Sequence, residues 1–331
     1  MTDIVGLEIF KFMSNNTKEI RRRIKSINST RKITKAMEMV SAAKMRRATG
    51  AVMAIRPYAH SAWRVLTNLA RAFEQYGEGL LSVREVKSIL MVVISTNRGL
   101  CGAYNTNLAR KLKYELANPE RLKINRMGEK AIVSKVSNEE LKIEYITIGK
   151  KGDNMVRKLG GNIIATFPGL AYHPKPEEVR PLANIIMEEY LKKTYDKVVI
   201  VYTDFISAIN QETKIRQVLP VSKIDIEKQL AEIDQHAKEF GLTEPKVEYK
   251  IEPSPMEVLT HIFPRLIEMQ IYHAIQESNA SKESARMLAM RNATDAAGEM
   301  VDGLTLMYNQ IRQSKITQEI AEISAGAAAI E

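Results

Sequence analysis

The sequence predicts an α/β protein in which long N- and C-terminal helices pair as an antiparallel coiled coil and an α/β domain is inserted between them. Three observations carry this. The stretch from Lys18 to Phe73 contains one proline, Pro57, and one glycine, Gly50. The stretch from Ser254 to Ala325 contains, after Pro255 at its start, only Pro264, Gly298 and Gly303 as interruptions. Between the two, strand-like apolar runs alternate with helix-like segments, the rhythm of a mainly parallel sheet. The expected boundaries are 14–73 for the first coiled-coil helix, 86–250 for the α/β domain and 254–326 for the last helix.

The first helix is rich in Ala, Met, Lys, Arg and Ile, with Ser14 to Thr17 as its expected capping stretch and a kink near Pro57. Met13 is as good a starting residue as Met1. In the middle, Ser88 to Ser95 is an unbroken apolar run of strand length, closed by Gly99 and Gly102, both expected in conformations that other residues avoid. Residues 107–116, 129–136, 153–159 and 177–193 read as helices. Residues 123–127, 143–148 and 197–203 read as strands. Residues 204–221 read as a hairpin excursion, and 222–245 as a charged loop or short helix.

The last helix, roughly 70 residues and about 105 Å at 1.5 Å per residue, is too long for a compact domain to enclose and needs a partner along its apolar stripe. Met290, Ala293, Ala297, Met300, Leu304, Met307 and Ile311 recur in steps of three and four, the pattern of a coiled-coil seam. The first helix offers Ile20, Ile24, Ile27 and then Ile33, Met37, Val40 as the complement.

Composition bounds the function. Lys and Arg number 49 against 39 Asp and Glu, a formal charge of +10, which favours an acidic partner: a nucleic acid, an anionic membrane surface or an acidic protein cavity. One cysteine, Cys101, excludes an internal disulfide. No apolar run is long enough to span a bilayer, and no signal-peptide pattern stands at the start. The phosphate-loop, dinucleotide, hydrolase-elbow and zinc-protease motifs are missing from the sequence, and five histidines lie scattered. No metal or cofactor is expected.

Two features carry more weight. Ten cations, Arg21, Arg22, Arg23, Lys25, Arg31, Lys32, Lys35, Lys44, Arg46 and Arg47, face a single acid, Glu38. A solvated helix face mixes signs, so this one is built for an anionic neighbour. Beside it, seven of the ten residues from Ala36 to Met45 are apolar and point all round the helix, which marks a helix enclosed on every side. The C-terminal run with Ile320, Ile323 and repeated alanines reads either as a frayed tail or as a smooth tip turning in an apolar sleeve. At this point three readings stand: a coiled-coil shaft, a basic nucleic-acid binder, and an α/β enzyme working at the turn from Asn97 to Asn105. The basic cluster holds no aromatic for base stacking, and neither rival accounts for two terminal helices of such length.

Four blocks then carry a resemblance: Lys32 to Met45 (KITKAMEMVSAAKM), Asn97 to Gly102 (NRGLCG), Ser284 to Asp295 (SARMLAMRNATD), and Tyr308 to Glu319 with the tail Ile323 to Ala328. In order and spacing the chain resembles the gamma subunits of rotary F-type ATP synthases, of the bacterial type. The resemblance implies an asymmetric shaft inside a hexamer of alternating alpha and beta subunits. It implies a Rossmann-like α/β foot resting with epsilon on the membrane c-ring, at the cytoplasmic face of a bacterial membrane. It implies no catalysis, substrate, cofactor or nucleic acid of the chain's own. Arg312, Gln313, Thr317 and Glu319 would contact a loop of one beta subunit, and Lys35, Met37 and Arg286 would lie near the acidic beta lever. The cysteine pair of chloroplast members has no counterpart beside Cys101, so thiol control is not expected.

Overall fold

The structure, a computed structural model, describes residues 2–75, 79–127, 130–138, 140–172, 174–221 and 255–329. The charged stretch at 222–245 lies outside the described residues. Two compact units form, Met1–Ser41 with Arg286–Glu331, and Ala42–Ala285. Helices α1 (Thr2–Gln75) and α5 (Pro255–Ala328) each contribute to both. The expected cap at Ser14 to Thr17 does not start α1, which begins at Thr2. Residues 3–13 hold no proline to stop a helix, so the cap residues are read through.

The larger unit is built on strands β1 (Ser88–Ile94), β4 (Lys142–Ile148), β5 (Asn162–Thr166), β6 (Lys197–Phe205) and β7 (Gln211–Leu219) in the spatial order β5-β4-β1-β6-β7. β1 runs parallel to β4 and β6, β4 runs parallel to β5, and β7 closes the edge antiparallel to β6. Alternate side chains explain the apolar runs. Leu90, Val92 and Ile94 face one layer, formed by α4 (Pro176–Leu191) and Ile267, Ile271 and Ile275 of α5. Ile89, Met91 and Val93 face the other, formed by α2 (Tyr104–Ala117) and Val156 of α3 (Lys150–Lys158). A strand sandwiched between two helical layers is apolar on both faces.

Two sequence expectations fail in this unit. Where a helix over 129–136 is expected, the described residues 130–136 are not helical: β3 (Lys130–Val133) pairs antiparallel with β2 (Ile124–Met127), since adjacent β-branched Ile132 and Val133 favour the strand. The strand β5, alternating in exposure, is an element the sequence reading left out. In the turn after β1, Gly102 has φ 52° as expected, but the other left-handed position is Leu100, at φ 62°, and not Gly99.

In the smaller unit the helices are antiparallel. Lys315 Nζ donates to Thr17 Oγ1 at 3.3 Å, Arg31 lies over Gly298, and the Thr34 and Thr294 hydroxyls are 2.8 Å apart. As the number on α1 rises, that on α5 falls.

Candidate partner-contact surface

The seam of the helix pair differs in phase from the apolar pattern. On α5 from Met290 onward, Met290, Thr294, Ala297, Val301, Leu304, Tyr308, Ile311, Lys315 and Gln318 are buried or half-buried in an unbroken alternation of four and three, and Ala293, Gly298 and Asn309 beside them are half-buried as well. Met290, Ala297, Leu304 and Ile311 were expected there. Ala293, also expected, is half-buried beside Thr294, whereas Val301 and Tyr308 take the places expected of Met300 and Met307, which are 56% and 49% exposed. On α1 the expected Ile20 is buried and Ile24, Ile27 and Met37 are half-buried, while Thr34 and Ser41 are buried in place of Ile33 and Val40, which are 60% and 54% exposed. Steric fit accounts for this: small Thr34, Ser41, Ala297 and Gly298 let two helices approach closely where Met and Ile would hold them apart. Thr34 Oγ1 donates to Arg31 O at 3.0 Å and accepts from Thr294 Oγ1 at 2.8 Å, so the hydroxyls buried in the seam are satisfied.

The seam mixes large apolar Met290, Leu304, Tyr308 and Ile311 with small Thr34, Ser41, Thr294 and Ala297, and it leaves Ile33, Val40, Met300 and Met307 on the outside. Covering one such half-exposed side chain is worth about 1 kcal/mol, a gain this unit leaves unused among its own described residues.

At the C-terminal end this outer apolar surface acquires edges. With 3.6 residues per turn, Ile316, Ile320 and Ile323 fall within a sector of about 60°, on the side of α5 away from Ile311, Lys315 and Gln318. Ile323 is 73% exposed. Arg312 and Glu319, one heptad apart, flank this stripe on one side, while Gln313 and Thr317 flank it on the other; all four are exposed. Thr317 Oγ1 donates to Gln313 O at 3.0 Å, and both residues line an open groove with Gln310, Ser314, Gln318 and Ala321. The sequence-predicted residues are thus brought together around an apolar strip. Lys35 and Met37 lie on α1, Lys35 exposed and paired with Glu38 at 3.0 Å, Met37 half-buried; Arg286 is half-buried on α5. These three form a separate group from the four near the C-terminus. The ten cations between Ile20 and Arg47 are all exposed.

The turn after β1 is the place where an α/β enzyme would bind a ligand, because the crossovers from β1 go first to β4 and then back to β6 on its other side. Here the turn is tied to its neighbours: Asn97 Nδ2 donates to Pro168 O, Lys150 N donates to Asn97 Oδ1, and Gly152 N donates to Ser95 Oγ. The crevice beside it holds α5. Thr203 N, near the end of β6, donates to Ser278 Oγ at 3.2 Å, and burial between these residues pushes the Tyr104 hydroxyl up to about 12. Cys101 is a buried free thiol accepting a hydrogen bond from Asn105 Nδ2. Among the described residues no group of three or more His, Cys, Asp or Glu could hold a metal ion, and no helix is long and apolar enough to cross a membrane.

A protein-family profile described as ATP synthase matches residues 16–330. The chain belongs to the ATP synthase gamma-chain family. The ATP synthase gamma chain of Legionella pneumophila (strain Corby) is 36% identical over 313 residues, 95% of this chain and 99% of that one. Those of Pelotomaculum thermopropionicum and Heliobacterium modesticaldum are 38% and 39% identical, again over 95% of this chain, and over 99% and 98% of their own lengths. Among solved structures, a chain of the Euglena gracilis mitochondrial ATP synthase (OSCP/F1/c-ring) matches with TM-score 0.61, 20% identity and coverage of 96% and 95%. A chain of the Tetrahymena thermophila central stalk and c-ring matches with TM-score 0.52 and 22% identity, over 79% of this chain and 99% of that one. At those identities the likeness establishes the gamma-chain fold alone.

Proposed function

We propose that this chain, as the gamma subunit of an F-type ATP synthase, is the central rotor shaft that carries torque between a membrane ion-driven c-ring and a hexamer of alternating alpha and beta subunits. The paired helices supply the shaft, and the α/β unit supplies the foot that meets epsilon and the ring at the cytoplasmic face of a bacterial membrane. The chain itself is non-catalytic: the crevice where an α/β enzyme would take its substrate is filled by α5, and the chemistry belongs to beta.

The observation that carries this reading is the apolar outer face of the helix pair. A free-standing coiled coil buries its largest apolar residues between its strands. Here Ile33, Val40, Met300, Met307, Ile316, Ile320 and Ile323 point outward with exposed cations beside them, the surface of a rod that is itself a core. An apolar sleeve with acidic levers is the complementary housing. Arg312, Gln313, Thr317 and Glu319, bracketing the isoleucine stripe, contact a loop of one beta subunit. Lys35, Met37 and Arg286 meet the acidic lever.

Torque follows from symmetry. The rod has two unlike helices and no threefold axis, whereas a hexamer of three alpha–beta pairs has one, so each beta meets a different face. Differential contact holds each in a different balance of open and closed states, and one third of a turn permutes them.

The test is assembly and coupling. Purified from its native membrane, the chain is expected with three alpha and three beta subunits per copy. Arg312→Ala with Glu319→Ala is expected to lower coupled ATPase turnover while the α/β unit stays folded. Recovery as a free monomer, or unchanged turnover and torque, refutes the corresponding part.

A further inference from the structure

One stretch of α5 contradicts its own composition. Residues 274–284 (AIQESNASKES) are buried on every side although eight of the eleven are polar. Apolar packing alone would hold a helix here more cheaply, because every buried polar group must be matched by a partner.

The partners come from two loops and one strand of the α/β unit. Gln276 Nε2 donates to Pro174 O at 3.1 Å, and Lys282 Nζ donates to Ala171 O, both ahead of α4. Ser278 Oγ accepts from Thr203 N at 3.2 Å, near the end of β6. Ser284 Oγ donates to Ala208 O at 2.5 Å, in the β6–β7 turn. Viewed down the helix at about 100° per residue, Gln276, Ser278, Lys282 and Ser284 stand at about 0°, 200°, 240° and 80°, spread around the whole axis. Apolar contact is non-directional and lets a cylindrical helix roll in its groove at little cost. A hydrogen bond weakens steeply off axis, so four bonds at four azimuths oppose a roll in either sense.

We infer that Gln276, Ser278, Lys282 and Ser284 form an anti-roll joint that fixes the rotational phase of α5 in the α/β unit, so that twist of this helix passes into the sheet instead of being lost as slip. They are positioning residues. Their importance for torque rests on the proposed rotary function, but the joint itself does not.

The experiment measures phase directly. Spin labels on Glu188→Cys of α4 and His261→Cys of α5, both exposed and both in the larger unit, in a purified full chain carrying Cys101→Ser, give a distance distribution by double electron–electron resonance. Gln276→Leu, Lys282→Met and Ser284→Ala together remove three of the four bonds while keeping bulk. Comparable bonds acting as parallel springs then leave one quarter of the stiffness, so the joint's angular variance should rise by about fourfold and the distribution should broaden. Ile271→Ala, which removes a fully buried apolar contact, should lower the thermal midpoint and leave the width unchanged. Should the triple variant fail to fold, Ser284→Ala alone should broaden the distribution and Ser284→Thr, which keeps the hydroxyl, should restore it. An unchanged width in the bond-deleting variants, or equal broadening by Ile271→Ala, overturns the joint. Neither result depends on assembly, so loss of the rotary reading and loss of the joint are separately visible.

Discussion

Replacing Glu277 by glutamine should make the α/β unit more stable, and more so the more alkaline the solution. Glu277 is buried on α5, its Oε2 has no hydrogen-bond partner among the described residues, and His273 Nδ1 lies 3.5 Å from its Oε1. Burial first, and then the charge of Asp204 on β6, push its carboxyl up from 4.5 to about 8, against the opposing pull of Arg216 and Lys214 on β7. The folded chain therefore holds a proton that the unfolded chain releases above about 4.5. The stability this group contributes is fully present below that value, falls as pH rises, and is lost once pH passes about 8. A rise from 4.5 to about 8, at about 1.4 kcal/mol per pH unit, sets a ceiling of about 5 kcal/mol on the loss. Glutamine keeps the shape and never ionises. Urea unfolding, followed by hydrogen exchange of β6 and β7 peptides, should give a Glu277→Gln minus parent difference that grows from pH 5 to 8 and then levels. A difference that stays constant across this window refutes the buried neutral acid.

Other substitutions probe separate parts of the account. Thr34→Ala and Thr294→Ala should be coupled by about 1 kcal/mol in a double-mutant cycle by urea unfolding, as partners in one buried hydrogen bond are; simple additivity rejects the seam. Gly161→Ala would place a Cβ 2.6 Å from Tyr145 Cε2 and 2.7 Å from Val156 Cγ1, and should cost about 1–3 kcal/mol by the same assay. Gly303→Ala meets nothing within 4 Å inside a helix and should instead stabilise the free chain by up to about 1 kcal/mol. Ile33→Ser and Met300→Ser should leave the free chain within about 0.5 kcal/mol of the parent yet weaken capture by alpha and beta in pull-down titration. A large loss in the free chain would place them in the seam after all.

Much of this architecture is legible in the residues, for identifiable reasons. Long stretches nearly free of Pro and Gly announce α1 and α5, and a six-residue apolar run such as Ile89–Ile94 reads as a strand buried on both faces. The phase of the seam is not legible. Two interleaved heptads share Met290, Ala297, Leu304 and Ile311, and hydrophobicity selects the one completed by Met300 and Met307. Hydrophobicity reports what is covered in the end; it does not say whether the other helix or an outside partner covers it. The belt at 274–284 is illegible for the opposite reason, since a run such as QESNASKES reads as a solvated helix face until the loops around it are known. The short strands β3 and β5 carry too few residues for either periodicity to stand out. Of the seven residues expected to touch partners, their grouping around Ile316, Ile320 and Ile323 emerges only once helical azimuth and exposure are known together.

The central claim is that this chain turns inside its partners. With the alpha–beta hexamer fixed to a surface and a bead attached through Glu188→Cys on α4, added ATP should drive one-way rotation in steps of one third of a turn. A bead that stays still while ATP is hydrolysed at the full rate would contradict the account.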